Sequence, residues 1–209
     1  MIRRLFGFLT RPLLRQVIRW VPVDDPWERV ESRFSLQSLG SGARYDFSWF
    51  FEGESAVPVG SLHDLRNWLR GCRYVSDPHL FHERDYWQHP RTFEQLKRGD
   101  CEDFAIWSWR KLVELGYDAD LVFGRCLPSG AGERGHAWVI FRQDGVTQVM
   151  EPTKARHASW ICPLDEARTR YVPHFGITSK RERYAFSGWL LSMKEGWFAT
   201  SSAGFPSST

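Results

Sequence analysis

From Ala119 to Glu151 the chain lays down one apolar run, then two more on either side of Asp144-Gly145. No other local feature restricts the fold as tightly. Asp-Gly between two such segments is the strongest local hairpin signal in the chain. Residues 119–127, 136–141 and 146–151 therefore read as consecutive antiparallel strands, and 170–177 and 184–189 can extend the same sheet. Ahead of them, Asp100 can cap a helix running from Cys101 to about Leu115, with Gly116 closing it. Ala105, Trp109 and Leu112 form its apolar stripe, flanked by Phe104 and Val113. A helix followed by a run of antiparallel strands is an α+β arrangement.

Upstream the pattern is looser. Ser61-Leu62-His63-Asp64 approximates a capping box, and Leu62, Leu65, Trp68 and Leu69 make one apolar face before Gly71 ends the helix. Residues 21–60 look irregular, with a linker from Val21 to Pro26, a turn at Leu39-Gly40-Ser41-Gly42, and an aromatic strand from Tyr45 to Phe51. In residues 2–20, Ile2, Leu5, Leu9, Leu13, Val17 and Trp20 fall on one side of a broken helix and Arg4, Arg11 and Arg15 fall opposite. The chain divides into a basic amphipathic arm and linker at 1–24, a folded domain at 25–195, and a Ser/Gly-rich tail at 196–209 expected to be disordered.

Charge bounds the partners. The net +3 conceals an arm with five arginines and no acid, and the remaining 189 residues carry 23 basic against 25 acidic side chains. The body is thus no nucleic-acid-binding surface. The arm can contact an anionic membrane surface or a partner protein, or simply pack its apolar face on the domain. An apolar fraction of 42% without a run of about 20 apolar residues excludes a spanning helix. Eleven tryptophans read as core filling before groove lining.

Cys72, Cys101, Cys126 and Cys162 show no CxxC pair and no metal spacing. The apolar run after the first arginines is too short for a secretory signal, so the expected compartment is the cytoplasm. The histidines His79, His82 and His89 lack a partner set for zinc and read as loop residues.

Cys101 falls at the first residue of its helix, where free N–H groups and the helix dipole favour a thiolate. Asp100, Glu102 and Asp103 oppose this by repulsion, so a cationic partner is required, and histidine is the usual one. His136 opens the hairpin and Glu151 ends its return strand. With a two-residue loop Trp138 pairs with Glu151 and His136 lies one pair away on the same face. With a four-residue loop His136 and Glu151 are directly opposite. Either register lets the carboxylate reach the imidazole, whereas a three-residue loop would put them on opposite faces.

Gly99-Asp100-Cys101-Glu102-Asp103-Phe104-Ala105, followed by Gly135-His136-Ala137-Trp138-Val139 and a carboxylate ending the next strand, resembles the bacterial transglutaminase-like cysteine peptidases. Tyr74-Val75-Ser76-Asp77 and Asp85-Tyr86-Trp87-Gln88-His89-Pro90 match the run this family carries before its cysteine, and the likeness spans about residues 60–185. The resemblance implies a papain-like catalytic domain over 25–195, with the nucleophile at a helix N-terminus packed on an antiparallel sheet. It makes Cys101 the nucleophile, His136 the general base and then acid, and Glu151 the orienting carboxylate. Glu151 departs from the usual aspartate, and its extra methylene moves the carboxylate by about 1.5 Å. Pro152 departs too.

By the same resemblance Trp87 is the second oxyanion donor beside the Cys101 N–H; as a residue it is equally a core aromatic. Some secreted members bind calcium through acids beside the cysteine, and Asp100 and Glu102 stand at those positions. Their roles as helix cap and first-turn acid suffice without metal, so no cofactor is expected and calcium stays open. The implied activity is hydrolysis of a peptide, isopeptide or amide bond in a protein or peptide substrate. The alternatives are a transamidase or acyltransferase on the same fold, or a non-catalytic binding module acting through its basic arm.

Overall fold

A computed structural model describes residues 21–30, 46–127 and 135–195. The arm at 1–20, the turn at Leu39 to Gly42 and the tail from residue 196 lie outside the described residues, as does most of the Gly-rich stretch before His136.

The hairpin fixes the frame. Asp144 and Gly145 both take positive φ, 51° and 79°, and Gln143 pairs with Val146 across them. The loop is the two-residue one, joining β5 (Gly135–Gln143) to β6 (Val146–Met150). Around them lie β1 (Arg29–Val30), β4 (Ala119–Cys126), β7 (Ile161–Pro163), β8 (Tyr171–Ile177) and β9 (Arg183–Phe186). The seven form one antiparallel sheet in the order β1-β9-β8-β4-β5-β6-β7. A separate parallel pair joins β2 (Arg73–Tyr74) to β3 (Arg98–Gly99).

Helix α1 (Leu62–Arg70) starts as expected, with Ser61 Oγ accepting the Asp64 N–H. Helices α2 (Asp77–Leu80) and α3 (Pro90–Leu96) follow, then α4 (Cys101–Glu114), α5 (Leu164–Ala167) and α6 (Gly188–Lys194). Helix α4 ends in a Schellman turn: Tyr117 N–H donates to Leu112 O at 2.9 Å and Gly116 N–H to Val113 O at 3.0 Å, with Gly116 at φ 86°.

Three expectations need correction. The apolar stripe of α4 is wider than its periodicity indicated, since Cys101 and every residue from Asp103 to Leu112 are buried. The sheet covers one face, and the segment before α1 wraps the other. Arg110 holds that segment by donating to the carbonyls of Phe50, Glu52 and Gly53, and Lys111 Nζ does so at Val57 O, 2.9 Å away. Within it the expected aromatic strand is instead a 3-10 turn over Phe47–Phe51, capped by Asp46. Phe47 and Phe50 both turn inward on α4, which alternation would have prevented. Finally, the last strand stops at Phe186, and Gly188 and Trp189 open α6.

Two apolar cores flank the sheet. Ala137, Val139, Phe141 and Met150 face α4 and belong with Cys101 and most of the tryptophans. On the other face Trp138, Ile140 and Val149 pack with Trp27, Tyr171 and Phe186. The α+β architecture with Cys101 at the N-terminus of a helix laid on an antiparallel sheet is the one expected. Among the described residues no helix is long and apolar enough to cross a membrane.

Candidate active site

His136 and Glu151 meet because of the hairpin register. Val139 pairs with Met150, so Trp138 and Glu151 fall opposite one another at the strand ends, with His136 two residues beyond Trp138 on the same face. His136 Nε2 lies 2.6 Å from Glu151 Oε2. The imidazole lies against two rings that touch each other, Trp138 at 6.1 Å and Tyr171 at 6.3 Å and 14°.

Glu151 is 2% exposed and fully engaged. Tyr171 Oη donates to the same Oε2 at 3.0 Å, while Thr153 donates its hydroxyl to Oε1 at 2.6 Å and its N–H at 3.3 Å. Pro152 is accounted for by this geometry: Glu151 caps a 3-10 turn over Pro152–Lys154, and proline suits the first position inside it. Burial pushes the Glu151 carboxyl up. The His136 charge and hydrogen bond, the Thr153 bonds and Lys154 outweigh it and hold the group down at about 2. Since Nε2 faces a carboxylate, the proton sits on Nε2 and Nδ1 is left as the basic nitrogen.

Cys101 arrives from the other core. It is 6% exposed, its sulfur faces the backbone N–H of Ala137, and its thiol donates to Glu102 Oε2 at 2.9 Å. Among the described residues no hydrogen bond joins the sulfur to His136. The structure thus brings His136 to Glu151 and sets Cys101 against the residue next to His136. Burial, the Glu102 and Asp100 charges and the Glu102 hydrogen bond drive the thiol well above its usual range, with the Ala137 N–H opposing them. Burial comes first among these causes, and the repulsion expected from the flanking acids adds to it.

Trp87 does not present its N–H to the sulfur. Nε1 donates to Asp85 at 2.9 Å, and the ring stacks on Phe123 at 4.8 Å and 8°, 1% exposed. It is the core aromatic of the two roles considered. The residues not anticipated are Tyr171 and Thr153 around the carboxylate and Tyr74 beside the cysteine. Of these only Thr153 carried a local signal, as a hydroxyl two residues beyond an acid.

The acids beside Cys101 form a larger group than Asp100 and Glu102. Carboxylate oxygens of Asp77, Asp100 and Asp103 lie within 4.8 Å of one another, as do ligand atoms of Asp100, Cys101 and Glu102. Asp77 Oδ1 and Asp100 Oδ1 are buried without a hydrogen-bond partner among the described residues. Burial, then repulsion between neighbouring acids, raises Asp77 to about 7 and Asp100 to about 9, and raises Glu102 and Asp103 as well. Orphaned, clustered hard oxygens fit a calcium-type cation.

No protein-family model matches this sequence, and no curated protein matches it. Among solved structures the chain is similar to LapG of Legionella pneumophila, at 21% identity and a TM-score of 0.45, over 66% of this chain and 74% of that one. The calcium-bound form gives 20% and 0.47, over 65% and 78%, and the EGTA-treated form 20% and 0.44, over 59% and 64%. These are likenesses of part of the fold.

Proposed function

We propose that this chain is a cysteine-nucleophile acyl-transfer enzyme of the transglutaminase-like class, hydrolysing a peptide, isopeptide or amide bond through Cys101, His136 and Glu151. The observation that carries the reading is the His136–Glu151 bond of 2.6 Å on the strand whose next N–H faces the Cys101 sulfur. A buried carboxylate with four donors fixing one imidazole is the orienting half of a triad. Packing alone does not require an ion pair there.

In the reaction, Cys101 Sγ leaves Glu102 and gives its proton to His136 Nδ1. The sulfur bonds to the carbonyl carbon, and the Cys101 N–H at the helix terminus donates to the resulting oxyanion. The intermediate collapses by breaking the C–N bond, and the amine departs with the proton from His136. Water, deprotonated by the same nitrogen, then cleaves the thioester, releasing the acid and restoring the thiol. Glu151 holds the tautomer throughout.

Asp100 and Glu102 would hold a calcium ion, with the Asp77 carboxylate beside Asp100. Its charge would offset the acids that disfavour the thiolate. A cytoplasmic location belongs to the same proposal, on the odd number of cysteines left beside the nucleophile.

The test is alkylation with iodoacetamide from pH 5 to 9 in calcium-containing buffer, each cysteine read by mass spectrometry. Cys101 is expected to react fastest, ahead of Cys72 and Cys126, which burial pushes up to about 12. His136→Ala is expected to remove that advantage. A Cys101 as inert as Cys72 in the wild type would end the proposal. Amine incorporation into the product separates a transamidase from a hydrolase.

A further inference from the structure

An acyl transfer at Cys101 places a negative oxygen on the tetrahedral carbon, and the helix terminus supplies one donor for it. A second donor is the general requirement, since each is worth about 10²- to 10³-fold in rate. The indole of Trp87 is committed to Asp85. The Gln88 amide is committed too, donating to Arg98 O at 2.9 Å and to Asp103.

Tyr74 is the tyrosine that the fold sets beside the start of α4. Strand β2 runs parallel to β3 with Tyr74 opposite Gly99, two residues before the nucleophile, and Val75 N–H donates to Gly99 O at 2.8 Å. The Tyr74 ring lies 6.4 Å from that of Phe104 in the first turn of α4. Its hydroxyl reaches the Cys101 side chain, with Asp100 and Glu102 as charged neighbours. Yet Tyr74 is 55% exposed, so burial of the ring does not explain its placement.

We propose that the Tyr74 hydroxyl is the second oxyanion donor for acyl transfer at Cys101. The assignment rests on Cys101 being the nucleophile. As sulfur bonds to the carbonyl carbon, the C=O π pair moves onto oxygen, and Tyr74 O–H donates a hydrogen bond to it without releasing its proton. On collapse the pair returns and the leaving group departs with the proton from His136.

Two reagents that meet the same sulfur test this. p-Nitrophenyl acetate acylates through a tetrahedral oxyanion, whereas iodoacetamide alkylates by direct displacement and forms none. Both rates are read at Cys101 by mass spectrometry, on the full chain in calcium-containing buffer, for the wild type, Tyr74→Phe and Cys101→Ala. Tyr74→Phe keeps the ring against Phe104, and its thermal midpoint is taken alongside. Acylation is expected to fall about 10²-fold while alkylation stays within about twofold. Unchanged acylation, or an equal fall in both rates, overturns the assignment while leaving Cys101 as the nucleophile. If Cys101 of the wild type reacts with neither reagent, and Cys101→Ala consumes both as fast as the wild type does, the nucleophile itself is overturned.

Discussion

The Cys101 thiol donates to the carboxylate of Glu102, the residue that follows it in the helix, at 2.9 Å. A thiol so held is protonated and paired with a negative charge. Removing that charge and its hydrogen bond favours the thiolate. In buffer with EGTA, Glu102→Gln is therefore expected to speed alkylation of Cys101 at pH 7 about tenfold. A stopped-flow comparison with the wild type checks this, and an equal or slower rate in the variant contradicts it.

Calcium should stabilise the fold. At a hundred times its Kd a ligand adds about 2.7 kcal/mol, which for a chain of this size is roughly 5–10 °C in Tm. The sign with pH follows from Asp100, raised from 3.8 to about 9. Between those values the folded protein binds more protons than the unfolded one, so without metal this stability contribution shrinks as pH rises. Calcium competes with those protons, and its effect on Tm is expected to be larger at pH 8 than at pH 5. Differential scanning fluorimetry reads it directly. Asp100→Asn combined with Glu102→Gln should remove the shift.

Glu151 behaves in the opposite sense. Its carboxyl is lowered from 4.5 to about 2, so its contribution is fully present above pH 4.5 and is lost as pH falls toward 2. The difference corresponds to about 3 kcal/mol at most. Urea unfolding at pH 7 and pH 3 should show the wild type losing part of this stability and Glu151→Gln losing none of it. The same variant should cut acylation of Cys101 by at least about 10²-fold, because the imidazole loses its tautomer.

Gly99 is the first residue of the Gly-Asp-Cys-Glu-Asp run for a steric reason. A Cβ there would come within 2.2 Å of Asp103 Oδ2 and 2.6 Å of the Gln88 amide nitrogen. That carboxylate also accepts the Asp100 N–H at 3.2 Å, tying the helix start together. Gly99→Ala is expected to cost about 1–3 kcal/mol in denaturant unfolding. It should also slow modification of Cys101, while Gly116→Ala, with no atom near its Cβ, affects stability through its positive φ alone.

The parts of this site that a sequence can show are those set by local rules. Asp144-Gly145 marked the hairpin, and two of its three loop lengths put His136 and Glu151 on one face. Asp100 and Gly116 marked the ends of α4, so Cys101 could be placed at its first residue. The misread parts depend on distant contacts. Tyr171 reaches Glu151 from three strands away, with β4 and β5 between, and Tyr74 comes beside Cys101 only because β2 pairs with β3. Neither pairing leaves a trace in local periodicity. The strand expected near Phe47 failed for the same reason: α4 draws both Phe47 and Phe50 inward, overriding propensity.

Cys101 and His136 rest against separate interiors of the sheet. Cys101 is anchored with Trp107 and Ala137 on one side, while His136 leans on Trp138 and Tyr171 on the other, and the two meet at the peptide linking residues 136 and 137. Damage to either interior can therefore disarm half of the machinery and spare the rest. A cavity cut beneath Trp27 or Phe186 would leave a cysteine with intact surroundings and no base to serve it. In such a protein the fault would lie far in sequence from every residue that does the chemistry.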